Sequence, residues 1–221
     1  MRQDNTQKSP VYVVQQGNEA LYVRLKADIV LEWLQSLNCP DMFALKDDEK
    51  IGAGILATSQ SMTAFLDGLP QTDQPPVYFY LYTLLHSFSH LLMKQVSEYS
   101  GLDLGSLGEY IFPADLAFVV YRNGTTMDLG NLSAMWRNAG TAMLNALMQP
   151  KATQCGTGSL CSRRGGSCPD CIMVPETSCV ASNKLLSRSV LRDIGGRPKF
   201  DTRKAPIRGF FDFASQKWEA R

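Results

Sequence analysis

The chain has 221 residues and a net charge of +1; its 44% hydrophobic content is ordinary for a globular protein, so disorder is not the default, and the length leaves room for one large domain or one domain with appendages. The charge is unevenly spread. Residues 1–150 carry nine basic and fifteen acidic side chains, a balance of −6, and residues 151–221 carry thirteen and six, a balance of +7. Such asymmetry suits a nucleic-acid face on the C-terminal part or a partner docked on the acidic part; the plain alternative is two solvated surfaces that differ. Met1 is followed by Arg2-Gln3-Asp4-Asn5 with no apolar leader, and no stretch reaches the roughly 18 apolar residues of a membrane span. The expected setting is cytoplasmic, with no membrane contact.

In chain order, Val11–Val14 and Ala20–Leu25 read as strands flanking a hairpin turn at residues 15–19. Asp28–Leu37 reads as a short helix, residues 46–50 as a charged loop, and Ser59–Leu69 as a second helix. Pro75-Pro76 suits the entry of a long helix over Val77–Ser100, the strongest periodic signal in the chain. Leu81, Leu84, Leu85, Phe88, Leu91, Leu92, Val96 and Tyr99 form its apolar stripe. His86 and His90 fall roughly opposite, with Thr83, Ser87, Lys94 and Ser97, on a side that is either polar surface or covered by protein. Gly101 is a natural stop. Leu107–Phe112 and Leu116–Tyr121 are strands, residues 122–125 a turn, and Leu132–Met148 a helix with Leu132, Met135, Trp136, Ala139, Met143, Ala146 and Leu147 inward. Asn183–Ile194 reads as a further helix, followed by a tail in which basic residues alternate with aromatic ones. The fold class is α+β: helices on a small, mostly antiparallel sheet, with a metal-stapled loop.

Five of the six cysteines share one window: Cys155, Cys161, Cys168, Cys171 and Cys179. Cys168-Pro-Asp-Cys171 lets two thiolates grip one ion from a tight turn, and two more close a tetrahedral sulfur shell at about 2.3 Å, the preferred site of structural Zn(2+). An iron–sulfur cluster or a redox pair are the competing uses. Cys161, Cys168, Cys171 and Cys179 form the slightly preferred set, because ligation by Cys179 would pin the following helix; Cys155 is the alternative fourth ligand. Cys39 stands apart as a buried thiol.

His86 and His90, one helical turn apart, offer a second metal pair, but a zinc protease would need Glu where Ser87 stands, so a hydrolase finds no general base there. The expected role of both histidines is structural, bonding a neighbouring loop or strand. No Gly-x-x-x-x-Gly-Lys-Ser/Thr phosphate loop occurs, which argues against nucleotide hydrolysis and for a non-enzymatic role. Arg163 and Arg164 in the cysteine loop, with Lys184, Arg188 and Arg192 as a ridge on the following helix, are the candidate DNA-binding residues. The aromatic–basic tail either stacks on single-stranded bases or packs as a strand on the core.

His86-Ser-Phe-Ser-His90-Leu-Leu, Ser100-Gly-Leu, Leu107-Gly-Glu-Tyr-Ile-Phe112, and the cysteines ending Cys168-Pro-Asp-Cys171-Ile-Met-Val-Pro-Glu-Thr-Ser-Cys179, with Asn183 four residues on, together resemble the MrfA zinc-binding (MZB) domain family. The form is most similar to that of DrmB-like proteins of the DISARM anti-phage defence system. The likeness covers about Val77–Phe211, and Val11–Leu37 is similar to the stretch preceding that domain. The resemblance implies residues 1–76 as a hairpin-and-helix region before a zinc domain at 77–221. It also implies a non-catalytic accessory role beside a helicase or translocase, with contact to DNA or pure protein assembly as the two modes. DrmB-like proteins are much longer, and the family's glycine-rich turn is diluted here to residues 123–130, so a domain working with a separately encoded motor is expected.

Overall fold

The computed structural model describes residues 13, 15, 17–42, 51–59, 71–123, 131–163 and 165–219. The expected strand at 11–14 (Val13 apart), the loop at 46–50, the helix at 59–69 (Ser59 apart), nearly all of the diluted glycine turn and Arg164 lie outside them.

Three strands form one antiparallel sheet: β1 (Ala20–Arg24), β2 (Leu107–Phe112) and β3 (Ala117–Arg122), in the order β1-β3-β2. β2 and β3 make a hairpin with Phe112 opposite Ala117 and Leu107 opposite Arg122, closed by a 3-10 turn at Pro113–Asp115; β1 pairs Ala20 with Tyr121. Burial alternates along β1 with the period of two that a half-buried strand requires.

Among the described residues the α-helices are α1 (Ala27–Ser36), α2 (Ile51–Ala57), α3 (Val77–Ser100), α4 (Leu132–Met148), α5 (Ser159–Arg163) and α6 (Phe210–Glu219). α3 is preceded by Pro76 at its N-cap, with the Val77 N–H donating to Asp41 Oδ1 at 2.8 Å, and is closed by Gly101 in the left-handed region (φ 73°), whose N–H returns to Ser97 O. Both signals were readable locally. The burial of α3 was not: Thr83, His86, Ser87 and His90 are as buried as its leucines. Residues 172–201 cover that side, with Phe200 edge-on to Phe79 and Tyr80 at 5.5 and 5.2 Å and the Ser187 N–H donating to Ser87 Oγ at 2.9 Å. The alternative in which protein covers the polar side is the one realised. α3 is the central post of the molecule.

α4 is capped twice: Asn131 Oδ1 accepts from the Ala134 N–H at 2.6 Å, and the Glu19 carboxylate accepts from the Leu132 N–H at 3.0 Å. Leu132, Met135, Met143 and Leu147 face inward as expected, but Trp136 is 47% exposed, a correction to its inward placement.

Two further corrections concern the last third. Asn183–Ile194 is not a helix. Ser182, Asn183 and Leu185 have φ of 49°, 58° and 54°, and only a 3-10 turn at Arg188–Val190 is helical. The Asn183 amide explains the break, accepting from the Val174 N–H at 3.0 Å and donating to Val174 O at 2.8 Å; such side-chain bonds compete with the helical ladder. The apolar residues Leu185, Leu186, Val190 and Leu191 are buried all the same. Of the tail, Phe210–Glu219 forms the helix α6. Its Phe210 meets Trp33 of α1 edge-on at 5.8 Å and Phe211 meets Phe88 at 4.9 Å, while the Trp33 indole donates to Arg208 O at 2.9 Å. Residues 27–39 therefore share one core with residues 77–211.

Candidate metal centre and basic groove

The four cysteines Cys155, Cys161, Cys168 and Cys171 converge so that their sulfurs all lie within 4.8 Å of one another. Cys155 follows a 3-10 turn at Pro150–Thr153, and Cys161 sits on the short α5. Cys168 and Cys171 share a tight turn in which the N–H groups of Cys171, Ile172 and Met173 all point to Cys168 O at 3.1–3.2 Å. The sulfur separations are 3.4 Å (Cys155–Cys168), 3.7 Å (Cys161–Cys171) and 3.6 Å (Cys168–Cys171). A tetrahedral zinc with bonds near 2.3 Å requires separations of about 3.8 Å, so a small expansion admits the ion. The donor set is soft and closed, which suits zinc.

The surroundings offset thiolate charge. The Cys168 N–H points at Cys171 Sγ at 3.3 Å, and the Lys94 ammonium, bonded to Pro169 O at 3.3 Å, lies in the field of Cys171 and Cys168. Arg188 is 4% exposed; its guanidinium donates to Thr153 O at 2.6 Å and faces the sulfurs of Cys161 and Cys171. Burial pushes the Cys171 thiol up to about 12, with the Cys168 sulfur adding to the effect. At Cys155 burial acts the same way but is overcome by the Thr157 hydroxyl and N–H, which hold the thiol down to about 6.

Cys179, the slightly preferred fourth ligand, is brought elsewhere: it joins His86, His90 and Glu109, and Cys155 takes the remaining place beside Cys161, Cys168 and Cys171. His86 Nε2 lies 3.0 Å from Glu109 Oε1 and 3.2 Å from Cys179 Sγ, and His90 Nε2 lies 3.1 Å from Glu109 Oε1. Both histidines do bond neighbouring loop segments, through Nδ1 to Leu185 O at 3.3 Å and to Ile172 O at 2.9 Å. Burial alone would lower the His86 imidazole, yet Glu109 and Cys179 push it up to about 10. Burial likewise opposes ionisation of Glu109 and Cys179, but the histidines hold Glu109 well below the carboxylate range and Cys179 at about 7. Neither imidazole has any exposed surface on which a hydrolytic substrate could act.

The expected basic ridge does not form, because its helix is absent. Arg188 is turned inward to the sulfurs, and Arg192 donates to Asp212 Oδ1 at 2.6 Å and to Met148 O. Lys184 is half-buried; Arg163 is exposed on α5, bonded to Ser159 Oγ at 3.4 Å. What the fold assembles instead is a groove of about 570 Å³ beside the cysteine loop, lined by Arg163, Arg197, Lys199, Arg203 and Lys204, with Asp201 at its base. Asp201 is engaged by Arg197, Arg203 and the Tyr80 hydroxyl. Sequence reasoning missed both Glu109 and this groove. A charged residue among the apolar ones of β2, and four cations within residues 197–204, were the available signals.

Together these features define an α+β domain with a closed four-cysteine centre able to hold a metal ion. Among the described residues no helix is long and apolar enough to cross a membrane. No family model matches the chain. The chain is, however, similar to the DISARM protein DrmB of Bacillus paralicheniformis, with 32% identity over 124 residues that take in 50% of this chain and 22% of that protein. The match thus spans about a fifth of its relative's length.

Proposed function

We propose that this chain is a zinc-stabilised, non-catalytic accessory component of a DISARM-type anti-phage complex, acting beside a helicase or translocase and offering its basic groove to DNA. The observation that carries the reading is the 32% identity to the DISARM protein DrmB over half of the chain. Zinc, held by Cys155, Cys161, Cys168 and Cys171, would supply cross-linking of the loop and no open coordination position. Arg163 stands on that loop, so a rigid loop presents its guanidinium at the rim of the groove with little loss of side-chain freedom. Asp201 neutralises part of the charge from Arg197 and Arg203, which leaves Arg163, Lys199 and Lys204 as the cations best able to meet phosphates.

The test is the triple change Arg163→Gln, Lys199→Gln, Lys204→Gln, measured on the purified chain alone and together with a candidate helicase partner. DNA affinity should fall at least about tenfold, and the slope of log affinity against log salt should shrink by roughly two to three. An unchanged affinity and slope would remove DNA from the reading. The second mode, assembly without DNA contact, is favoured by one observation: Tyr22, Tyr110, Phe112, Trp136, Leu144 and Met148 are exposed on the sheet and α4. Stable co-purification with no DNA footprint for this chain would select it.

A further inference from the structure

We propose that His86, His90, Glu109 and Cys179 form a second, buried metal centre that binds a divalent zinc-like cation through two imidazoles, one carboxylate oxygen and one thiolate. The four donors come from α3, β2 and the loop after the cysteine turn, and all four residues are at least nine-tenths buried. The separations of 3.0–3.2 Å between Nε2, Oε1 and Sγ fall a few tenths of an ångström short of the roughly 3.3–3.6 Å that a tetrahedral zinc imposes on N, O and S ligands.

Hydrogen bonding fixes the ligand atoms. Each Nδ1 faces a backbone carbonyl, Leu185 O or Ile172 O, so it carries the ring proton and leaves the Nε2 lone pair aimed into the cluster. The Ser89 hydroxyl engages Glu109 Oε2, which leaves Oε1 for the metal. The Asn183 N–H points at Cys179 Sγ at 3.2 Å, a contact that supports a thiolate. Every donor therefore has its own orienting partner, the arrangement that metal ligands use and a mere ion pair does not need.

Charge balance points the same way. With neutral imidazoles the empty cluster is four acceptors facing one another around two negative charges, out of reach of water. Protons can also fill it, as an imidazolium–carboxylate pair beside a thiol or on the thiol and carboxyl themselves, and every charge kept in such a set carries a desolvation cost. One divalent cation satisfies all four lone pairs and brings the net charge to zero, releasing to solvent any proton held by the thiol or the rings. The thiolate and imidazoles favour zinc over magnesium or calcium. The site is closed and dry, so its work is to tie α3, β2 and the covering loop together.

The measurement is metal content and X-ray absorption on the full chain purified from zinc-supplemented cells. Two zinc ions per chain are expected, with an averaged shell of about 2.5 sulfur and 1.5 nitrogen or oxygen neighbours. Cys179→Ser and Glu109→Gln should each lower the count towards one and move the remaining shell to four sulfurs. The double change Cys155→Ser, Cys168→Ser should leave one zinc in a mixed shell. A folded wild-type chain holding one zinc with sulfur ligands alone would overturn the proposal, whether or not the variants fold, and would leave the accessory role untouched.

Discussion

Replacing Asp201 by Asn tests the most heavily engaged charge outside the two metal-type clusters. The Asp201 side chain has no exposed surface, and Arg203 meets it with both arms, Nε to Oδ1 at 3.0 Å and Nη2 to Oδ2 at 3.1 Å. Arg197 and the Tyr80 hydroxyl also converge on Oδ2, while Arg203 continues to Leu37 O at 2.7 Å and so links the groove to the end of α1. An asparagine keeps the acceptor at Oδ1 but turns an amide donor towards three donors at Oδ2. Breaking a fully buried pair by removing one partner costs about 3–5 kcal/mol. The two arginines are 14% and 22% exposed, so partial hydration brings the expected loss to about 3 kcal/mol, or a fall in melting temperature of about 6–12 °C for a chain of this size. Urea denaturation of the metal-loaded protein at pH 7 measures it. Burial by itself would raise the Asp201 carboxyl, but Arg203, Tyr80 and Arg197 hold it below the usual range. A depressed folded pKa contributes stability that is complete above the unfolded value, near 4. It is lost as pH falls through the folded value. The difference between wild type and variant should therefore be flat from about pH 8 to pH 5 and shrink only below about pH 4. A loss under about 0.5 kcal/mol at pH 7, the size of an exposed pair, would refute the reasoning.

Gly209→Ala places a methyl 2.3–2.4 Å from the backbone of Arg192, which cannot rotate away, and should cost about 3 kcal/mol in the same denaturation assay. Cys171→Ser should remove one metal equivalent and open the cysteine loop to trypsin after Arg163, with the circular dichroism of the remaining helices largely kept; unchanged metal content would exclude Cys171 as a ligand. Cys39 is 7% exposed, and burial pushes its thiol up to about 12, so iodoacetamide should leave it unmodified in the native protein at pH 8 and label it only after unfolding.

Local chemistry determined a good deal of this molecule. A stripe at three- and four-residue steps, Pro76 before it and Gly101 after it specify α3 with no help from distant residues. The β2–β3 hairpin and the Cys168–Cys171 turn were readable for the same reason: periodicity and turn geometry act within a few residues. Which sulfur completes the four-cysteine centre did not follow from spacing. Cys155 and Cys179 both flank the turn, and the choice falls to whichever sulfur the rest of the chain leaves free. Cys179 is drawn away by His86, 93 residues earlier, and by Glu109 on β2, which only the packing of the loop against α3 brings together. The inward turn of Arg188 and the groove from Arg163 to Lys204 have the same origin. Asn183 breaks the expected helix to bond Val174. Side-chain bonds across the fold outweigh helical propensities worth a few tenths of a kcal/mol per residue.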